Sequence, residues 1–362
     1  MPRMTTQDNP GEDTSDLHVA AFQPLISPHD LLAELPLGEQ RAALVRRTRD
    51  EVRRVMAGED DRLLVVVGPC SVHDPAAALD YARRLKAFAD EVRDELVVVM
   101  RVYFEKPRTT LGWKGLINDP GLDGTYDIHR GLRTARRLLL DILDIGLPVG
   151  CEFLDPTSPQ YIADTVTWGA IGARTTESQV HRQLASGLSM PVGFKNATDG
   201  DVQVAVDASR VGRGSHVFFG VDDAGRAAIV TTTGNPDCHV ILRGGTRGPN
   251  YGEGDVADSL KLLEKHSLTQ RLVIDASHAN SGKDHVRQAV VASEIAGQVA
   301  AGQAGIGGVM LESFLVAGRQ EIGPEMTYGQ SVTDACMGWD TTEGVLGTLA
   351  ASVRERRSAA GA

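Results

Sequence analysis

Short apolar runs alternate with helical segments along most of this chain, and that alternation is the strongest constraint on its fold. The first run, residues 63–70, stops at a Gly-Pro pair, which is typical of a buried strand. Residues 75–92 then carry apolar side chains at helical spacing, and a short helix is predicted at residues 161–168. Eight strands are predicted, at residues 63–70, 96–104, 148–154, 170–174, 191–196, 239–244, 271–278 and 306–313. Eight strand–helix units predict a parallel sheet closed into a (β/α)8 TIM barrel of the α/β class.

An open doubly wound sheet is the alternative fold for such an alternation. The chain has neither the G-x-G-x-x-G turn nor the P-loop that many such sheets carry, so the barrel is favoured. Residues 1–16, rich in Thr, Asp, Gly and Pro, are expected to form a flexible tail, and residues 17–60 an N-terminal extension. The barrel domain spans residues 61–362, and a pair of apolar runs predicts a β-hairpin inserted near residues 214–235.

Composition excludes several classes of protein. The net charge of −11 over 362 residues argues against a nucleic-acid partner. No apolar run approaches the length of a membrane span, and the start of the chain lacks the apolar region of a secretory signal. Four cysteines do not make a disulfide framework for so long a chain. We therefore expect a cytoplasmic protein with no membrane partner.

Each predicted strand carries one polar or ionisable residue at or near its C-terminal end. These residues are Cys70, Arg101, Glu152, Arg174, Lys195, Arg243, His278 and Glu312. In a (β/α)8 barrel the C-terminal strand ends meet at one mouth, where active sites lie. Any one of these residues alone is more often structural, since an arginine at a strand end commonly forms a salt bridge on the rim. The set as a whole predicts a functional site.

Basic side chains dominate that set. The cations are Arg101, Arg174, Lys195 and Arg243, joined by Lys106 and Arg108 from the loop after the second strand. Like charges so close together disfavour one another without an anionic ligand, and Glu152 offsets only part of the charge. Arginine matches phosphate and carboxylate groups in bidentate geometry. Because the chain is acidic overall, these cations predict a site for a small, multiply charged anion.

A second group at the same mouth offers metal ligands. Cys70, His278 and Glu312 supply a thiolate, an imidazole and a carboxylate, and Asp334 in the loop after the last strand adds a second carboxylate. Such a mixed set suits a divalent first-row metal (Mn, Fe, Co or Zn) better than Mg or Ca. The spacing has no local signature such as C-x-x-C, so the prediction depends on the barrel. A metal beside an anion site suggests polarisation of a carbonyl group.

Long blocks of the chain are similar to a known family. The matching segments are residues 66–75 (VVGPCSVHDP), 101–109 (RVYFEKPRT), 112–120 (GWKGLINDP), 169–179 (GAIGARTTESQ), 193–196 (GFKN), 242–245 (LRGG), 275–280 (DASHAN) and 331–334 (SVTD). In these blocks, and from about residue 20 to 355, the chain resembles the class I 3-deoxy-D-arabino-heptulosonate 7-phosphate (DAHP) synthases of the feedback-regulated bacterial and fungal type.

The resemblance implies a role for each matching residue. The metal ligands fall on Cys70, His278, Glu312 and Asp334. The phosphoenolpyruvate contacts fall on Arg101, Lys106, Ala173, Arg174, Lys195 and Arg243, and the erythrose 4-phosphate contacts on Lys106, Pro107, Arg108 and Thr109. For catalysis, the hypothesis is that Lys106 donates a proton and that Glu152 or His278 positions the attacking water.

The implied reaction condenses phosphoenolpyruvate with erythrose 4-phosphate and releases phosphate, which is the first committed step of the shikimate pathway. In feedback-regulated relatives the N-terminal extension and the hairpin form the inhibitor site and the subunit interface. We therefore expect inhibition by an aromatic amino acid, tyrosine before phenylalanine, and a homodimer or homotetramer. Ser189 matches a position near the effector pocket.

Two other functions stay open at this point. One is a related barrel synthase that uses arabinose 5-phosphate, against which the Lys106-Pro107-Arg108-Thr109 stretch argues, because that relative has a different motif there. The other is a non-catalytic barrel that senses an aromatic amino acid, against which the intact metal and anion sets argue. Outside Cys70, the cysteines Cys151, Cys238 and Cys336 are interpreted as small core residues.

Overall fold

The computed structural model describes residues 14–107 and 112–360. Its strands are β1 (Leu63–Gly68), β2 (Leu96–Arg101), β3 (Val149–Glu152), β4 (Trp168–Ile171), β5 (Val192–Lys195), β6 (Val217–Val221), β7 (Ala227–Thr231), β8 (Cys238–Leu242), β9 (Leu272–Asp275), β10 (Ile306–Glu312), β11 (Val316–Arg319) and β12 (Gln330–Ser331). Its helices are α1 (Pro28–Glu34), α2 (Glu39–Ala57), α3 (Pro75–Glu91), α4 (Ile128–Ile145), α5 (Pro159–Ile162), α6 (Gln179–Gly187), α7 (Gln203–Gly212), α8 (Glu253–Lys265), α9 (His285–Ala300) and α10 (Trp339–Ala360).

Eight parallel strands close into one barrel in the order β1-β10-β9-β8-β5-β4-β3-β2. Closure is completed by β1, which pairs in parallel with β10 on one side and with β2 on the other. Helices follow the barrel strands along the chain and pack outside them. The predicted (β/α)8 TIM barrel is therefore confirmed, and the open doubly wound alternative is wrong.

The apolar pattern of β1 shows how the barrel separates its two packing surfaces. Leu63, Val65 and Val67 belong to the large core between strands and helices, while Leu64 and Val66 belong to a second cluster formed by inward-facing residues. All of these side chains are fully buried, so the strand is apolar throughout instead of alternating with polar residues. A continuous apolar run is the expected sequence of a strand covered on both faces.

Helix α2 closes the lower end of the barrel. Its residues Val52, Val55 and Met56 belong to the same cluster as the inward-facing strand residues. Arg271, directly before β9, donates to the carbonyl of Val55 at 3.0 Å, which fixes the end of α2 beside the start of a strand. Part of the predicted extension, residues 17–60, is thus continuous with the barrel core, and the mouth at the opposite end of the barrel stays open to ligands. Its regulatory role stays a prediction.

Two segments differ in secondary structure from the prediction. The helix expected at residues 161–168 is instead the single turn α5 and a 3-10 turn, Ala163–Thr165, and Trp168 already begins β4. The loop expected between residue 313 and Asp340 contains the short strands β11 and β12. None of the helices in the described ranges is long and apolar enough to cross a membrane.

The inserted hairpin is present as the antiparallel pair β6 and β7. It stands outside the barrel and exposes large apolar side chains, with Phe219 95% and Ile229 77% accessible. Its turn is linked to the N-terminal extension, because the backbone N–H of His29 donates to the carbonyl of Asp223 at 2.7 Å. The extension itself exposes Phe22. Hairpin and extension therefore form one continuous feature on the side of the barrel.

A buried arginine on α4 links the extension to the barrel. The Arg136 guanidinium is fully buried and donates to the carbonyls of Leu35 at 2.7 Å and Tyr161 at 2.9 Å. It also forms a two-pronged ion pair with Asp164 at 2.6 and 2.8 Å. One side chain thus satisfies acceptors from two segments that are distant in sequence, at residue 35 and at residues 161–164.

We expect Arg136→Met to lower the free energy of unfolding by about 3 kcal/mol, because it leaves buried carbonyl groups and a carboxylate without their donor. Urea unfolding followed by circular dichroism measures the change. The control is Arg133→Met on the same helix, whose pair with Glu34 is 40% and 44% exposed and whose loss should cost less than about 1 kcal/mol. Equal destabilisation by the two variants would contradict this account of Arg136.

Candidate active site

A cavity of about 320 Å³ opens at the C-terminal mouth of the barrel. It is lined by Lys106, Pro107, Glu152, Gly172, Ala173, Arg174, Lys195, Thr198, Arg243, His278, Lys283, Arg319, Glu321, Val332, Thr333 and Asp334. Five of the eight residues predicted from the strand ends therefore line one cavity: Glu152, Arg174, Lys195, Arg243 and His278. Six lining residues are lysines or arginines and three are carboxylates, so the described lining carries an excess of positive charge, as an anion site requires.

Two of the predicted cations are not free, which corrects the charge balance inferred from the sequence. Arg101 is fully buried and donates to Glu312 at 2.9 Å, and it does not line the cavity. Lys195 forms a buried ion pair with Asp275 at 2.9 Å. Carboxylates other than Glu152 thus offset part of the cation cluster. Direct contact of Arg101 with phosphoenolpyruvate stays a prediction.

The remaining predicted cations are better placed to meet an anion. Arg174 is exposed in the turn after β4, and its guanidinium donates to the carbonyl of Pro107 at 3.3 Å. Arg243 follows β8 directly and is half-buried, and burial lowers the pKa of its guanidinium. Within the described ranges neither has a carboxylate within salt-bridge distance. Their charge is available to a ligand.

Three of the predicted metal ligands converge on one point. Ligand atoms of Cys70, Glu312 and Asp334 lie within 4.8 Å of one another. Cys70 and Glu312 are buried and Asp334 is partly buried. Burial alone would raise the pKa of Glu312, but His278 and Arg101 hold it below its ordinary value. One soft thiol and two carboxylates in a small volume are donors that suit a divalent first-row cation.

His278 lies beside this group in an unusual backbone conformation. Its φ of +52° is in the left-handed region, which non-glycine residues seldom adopt. The backbone N–H of Lys283 donates to its carbonyl at 2.6 Å and closes the turn. The Nε2 atom is 3.7 Å from Glu312 Oε1, while Nδ1 is 2.8 Å from Asp275. The strand ends at Asp275, so the predicted strand 271–278 extends three residues past the observed C-terminal end.

Lys106 reaches the same point from the loop after β2. Its ammonium donates to the sulfur of Cys70 at 3.1 Å and to the carbonyl of Cys70 at 3.2 Å. Burial works against the charge, yet Cys70 and other neighbours raise the pKa of Lys106 above its ordinary value. Burial also raises the pKa of the Cys70 thiol, which a bound metal would oppose. The lysine thus carries a proton next to the candidate metal ligands.

The turn that aims Cys70 depends on a close approach between two strands. A Cβ atom at Gly68 would collide with the backbone carbonyl of Arg101, so only glycine lets β1 and β2 pass each other there. The backbone N–H of Cys70 donates to the sulfur of Cys336 at 3.4 Å, which helps to fix the turn. Cys336 and the other cysteines are buried free thiols, in agreement with their interpretation as core residues.

Glu152 closes the opposite wall at the end of β3. A Cβ at Gly172 would collide with its carboxylate, so the glycine of the GAIGARTTESQ segment makes room for it. Glu152 and Ala173 line the cavity together. Of the residues predicted to bind erythrose 4-phosphate, Lys106 and Pro107 line the cavity, while Arg108 and Thr109 lie outside the described residues.

Ser189 lies apart from this cavity, in the bend after α6. The Asn235 side chain donates to the carbonyls of Leu188 at 3.2 Å and Met190 at 2.9 Å, which ties the bend to the segment that follows β7. Ser186 and Thr232 form a buried hydroxyl pair at 2.7 Å nearby. The candidate effector position is therefore next to the base of the hairpin.

Several lining residues were missed by the sequence analysis. Lys283, Glu321, Thr198 and Thr333 come from loops and Arg319 ends the short strand β11, so none of them lies in a segment where periodicity carries a signal. Asp275 lies in the DASHAN segment but was not predicted to be a site residue. Its position at the C-terminal end of β9 could have identified it as one. Gln288 on α9 also went unnoticed, although its side chain bonds both the N–H and the carbonyl of Glu312, at 2.7 and 2.9 Å.

Fold and site together define a (β/α)8 barrel with an anion pocket beside a candidate metal centre. Residues 35–346 match the DAHP synthetase I family. The chain is 58% identical over 356 residues to phospho-2-dehydro-3-deoxyheptonate aldolase of Corynebacterium glutamicum, covering 96% of each chain. It is 54% identical to the Phe-sensitive enzyme of Escherichia coli strain K12, covering 94% of this chain and 98% of the relative. The chain therefore belongs to the DAHP synthetase I family.

A solved structure agrees with this assignment. Phospho-2-dehydro-3-deoxyheptonate aldolase from Francisella tularensis SCHU S4 superposes with a TM-score of 0.92 at 50% identity, over 93% of this chain and 99% of that chain. Relatives between 52% and 54% identical are named Phe-sensitive, Trp-sensitive and Tyr-sensitive. Overall similarity thus does not separate the three effectors.

We expect Cys70→Ala to weaken Mn²⁺ binding by at least about 100-fold, because it deletes the one sulfur donor of the candidate centre. Calorimetric titration of the metal-free protein measures the affinity, and circular dichroism checks that the barrel stays folded. Cys238→Ala is the control, since Cys238 is a buried cysteine outside the ligand group and should leave the affinity unchanged. Wild-type affinity in Cys70→Ala would remove Cys70 from the metal site.

Proposed function

We propose that the protein condenses phosphoenolpyruvate with erythrose 4-phosphate and water to give DAHP and phosphate, the first committed step of the shikimate pathway. The single observation that carries the proposal is the cavity in which Arg174 and Arg243, with no carboxylate partner among the described residues, lie beside the Cys70, Glu312 and Asp334 group. Membership of the DAHP synthetase I family and the names of relatives more than half identical support the same activity.

Binding of phosphoenolpyruvate follows from the charges of the cavity. Arg174 and Arg243, which lack carboxylate partners in the described part of the chain, bind its phosphate and carboxylate groups together with Lys195. Erythrose 4-phosphate enters on the side of Lys106 and Pro107, where Arg108 and Thr109 are proposed to bind its phosphate. A divalent first-row metal (Mn, Fe, Co or Zn) held by Cys70, Glu312, Asp334 and His278 would polarise the sugar aldehyde.

The proton steps use residues that line the same cavity. C3 of phosphoenolpyruvate attacks the aldehyde carbon, and the resulting alkoxide takes a proton from Lys106, whose raised pKa keeps it charged. Water adds at C2 on the side of Glu152 or His278, and its proton passes to the Glu152 carboxylate. The C2–O bond to phosphate then breaks, the C2 hydroxyl gives its proton to the departing phosphate, and the ketone of DAHP forms. The departing phosphate leaves into the field of Arg174, Lys195 and Arg243.

Phosphate release tests the function directly. With both substrates and Mn²⁺ we expect phosphate release that stops when the metal is removed by a chelator and returns when Mn²⁺ is restored. Replacing erythrose 4-phosphate by arabinose 5-phosphate should abolish turnover, because the segment Lys106-Pro107-Arg108-Thr109 is the one found in enzymes that use erythrose 4-phosphate. Preference for arabinose 5-phosphate would identify the related synthase. No release with either sugar would favour a non-catalytic sensor of aromatic amino acids.

Regulation is proposed on a separate surface. The hairpin, the N-terminal extension and the Ser189 bend are linked to one another, and they expose Phe219 and Phe22. Exposed apolar side chains of this size are typical of a surface that meets a second copy. We assign this surface to a homodimer or homotetramer contact and to inhibition by tyrosine or phenylalanine, with tyrosine first. The phosphate-release assay with each aromatic amino acid identifies the effector.

The free state of all four cysteines fits the cytoplasmic location that we also propose.

Arg174 gives a test of the anion site that does not depend on fold stability. We expect Arg174→Met to raise the Michaelis constant for phosphoenolpyruvate by about 10- to 100-fold, because a charge-assisted contact worth about 1.5–3 kcal/mol is lost. Its melting temperature should stay close to wild type, since Arg174 is exposed. The control is Arg210→Met, another exposed arginine, which lies on α7 outside the cavity. A wild-type Michaelis constant in Arg174→Met would make the anion-site assignment wrong.

A further inference from the structure

Asp275 is a fully buried carboxylate between the two halves of the site. It is the last residue of β9, and its side chain is 0% exposed. None of the roles considered so far uses it, since it belongs neither to the candidate metal ligands nor to the residues that line the cavity. A carboxylate in such a position is retained only if its hydrogen-bonding capacity is filled.

One oxygen of Asp275 faces the site and has two partners. Oδ2 accepts from the ammonium of Lys195 at 2.9 Å and lies 2.8 Å from His278 Nδ1. Lys195 is one of the cations proposed to bind phosphoenolpyruvate, and His278 is one of the proposed metal ligands. A single oxygen atom thus joins the anion half of the site to the metal half.

The other oxygen is anchored to the chain. Oδ1 accepts from the backbone N–H of Ser277 at 3.0 Å and from its hydroxyl group. The Asn280 side chain donates to the Asp275 carbonyl at 2.8 Å and so fixes the backbone as well. Because these bonds hold the carboxylate in one orientation, Oδ2 presents a fixed point to its two partners. A freely rotating carboxylate could not position either of them.

For His278 this contact decides which nitrogen is available. His278 Nδ1 lies 2.8 Å from Asp275 Oδ2 and 2.8 Å from the Ser277 hydroxyl oxygen, which itself donates to Asp275 Oδ1. A carboxylate accepts only and the Ser277 proton is directed to Asp275, so Nδ1 carries a proton that faces both acceptors. The lone pair of neutral imidazole is then on Nε2, which lies on the side of Glu312 at 3.7 Å. Carboxylates that hold metal-ligating histidines in this way commonly tune metal affinity by about 10- to 100-fold.

For Lys195 the same oxygen fixes the position of a buried charge. The lysine side chain is 4% exposed, so water offers its ammonium few other acceptors. A lysine ammonium sits on a flexible stem and binds phosphate as a point charge, so its value to a ligand depends on where it is held. The contact keeps the ammonium at the cavity wall.

We propose that Asp275 is a positioning residue that couples metal binding to phosphoenolpyruvate binding, by orienting His278 with the same oxygen that holds Lys195. The inference rests on the proposed function for the identity of the anion. It goes beyond that function, because neither metal chemistry nor anion binding by itself requires one carboxylate to serve both.

The test compares three variants in two binding measurements that need no turnover. Mn²⁺ affinity is measured by calorimetry on metal-free protein, and phosphoenolpyruvate binding by the rise in melting temperature that it causes in the presence of a chelator. His278→Gln should weaken Mn²⁺ binding and keep the phosphoenolpyruvate shift. Lys195→Met should keep Mn²⁺ binding and lose the shift. Asp275→Asn, nearly equal in shape to the wild type, should weaken both by about 10-fold or more.

The outcomes separate the coupling from the function. If Asp275→Asn binds Mn²⁺ within about 2-fold of the wild-type affinity, the proposal is overturned. Loss of a carboxylate that orients a metal-ligating histidine is expected to weaken binding by about 10- to 100-fold. An unchanged or larger phosphoenolpyruvate shift also overturns it, because Asp275 would then act only as an opposing charge. A wild-type protein with no shift at all contradicts the proposed function itself, while its Mn²⁺ titrations still report on His278.

A fourth variant covers the case in which Asp275→Asn does not fold because it leaves the Lys195 charge unpaired. In the double variant Asp275→Asn/Lys195→Met both partners of the buried ion pair are replaced by neutral side chains, which proteins commonly tolerate. We expect it to bind Mn²⁺ about 10-fold more weakly than Lys195→Met alone, because His278 still loses its acceptor. Equal affinities in these two variants would overturn the orienting role of Asp275.

Discussion

The closure of the barrel between β1 and its two neighbours is the constraint on which the site depends. Each residue of the site comes from a different part of the chain, and only a closed parallel sheet brings their strand ends to one rim. Cys70 and Glu312 meet because β1 pairs with β10 in a register that sets Gly68 opposite Glu312. On the other side, Gly68 must pass the carbonyl of Arg101 without a side chain. The Gly-Pro-Cys turn thus has two roles: its glycine lets the strands pack, and its cysteine supplies a candidate metal ligand.

Buried ion pairs are the second feature that shapes the site. Arg101 with Glu312 and Lys195 with Asp275 are nearly inaccessible to water, and such pairs are weak sources of stability because desolvation offsets their attraction. They do fix positions, however. Arg101 pairs with Glu312 at 2.9 Å, and its guanidinium lies 3.7 Å from the ring centre of Tyr103. We infer that these pairs fix the positions of side chains around the ligands and add little to the free energy of unfolding.

The sequence was informative wherever the fold itself carries the signal. Apolar runs located the eight strands, and once they form a barrel the rim positions of Glu152, Lys195 and Glu312 follow. Partners between strands could not be foreseen, because nothing in the sequence says that Lys195 reaches Asp275 across the rim. Arg101 illustrates the same limit, since a strand-end arginine can face a ligand or a buried carboxylate. Loop residues such as Lys283 and Thr198 lie outside any periodic pattern, so the sequence did not indicate them.

Each candidate metal ligand in the converging group has its own cation within reach. Lys106 contacts Cys70 at 3.1 Å, Arg101 contacts Glu312 at 2.9 Å, and Lys283 contacts Asp334 at 3.6 Å. A thiolate and two carboxylates left alone in a buried site would repel one another and would also repel an incoming anion. The surrounding cations remove that conflict, so one cavity can hold a divalent metal and a phosphorylated substrate side by side. The same cations limit how tightly the metal can bind, because they compete for its ligands.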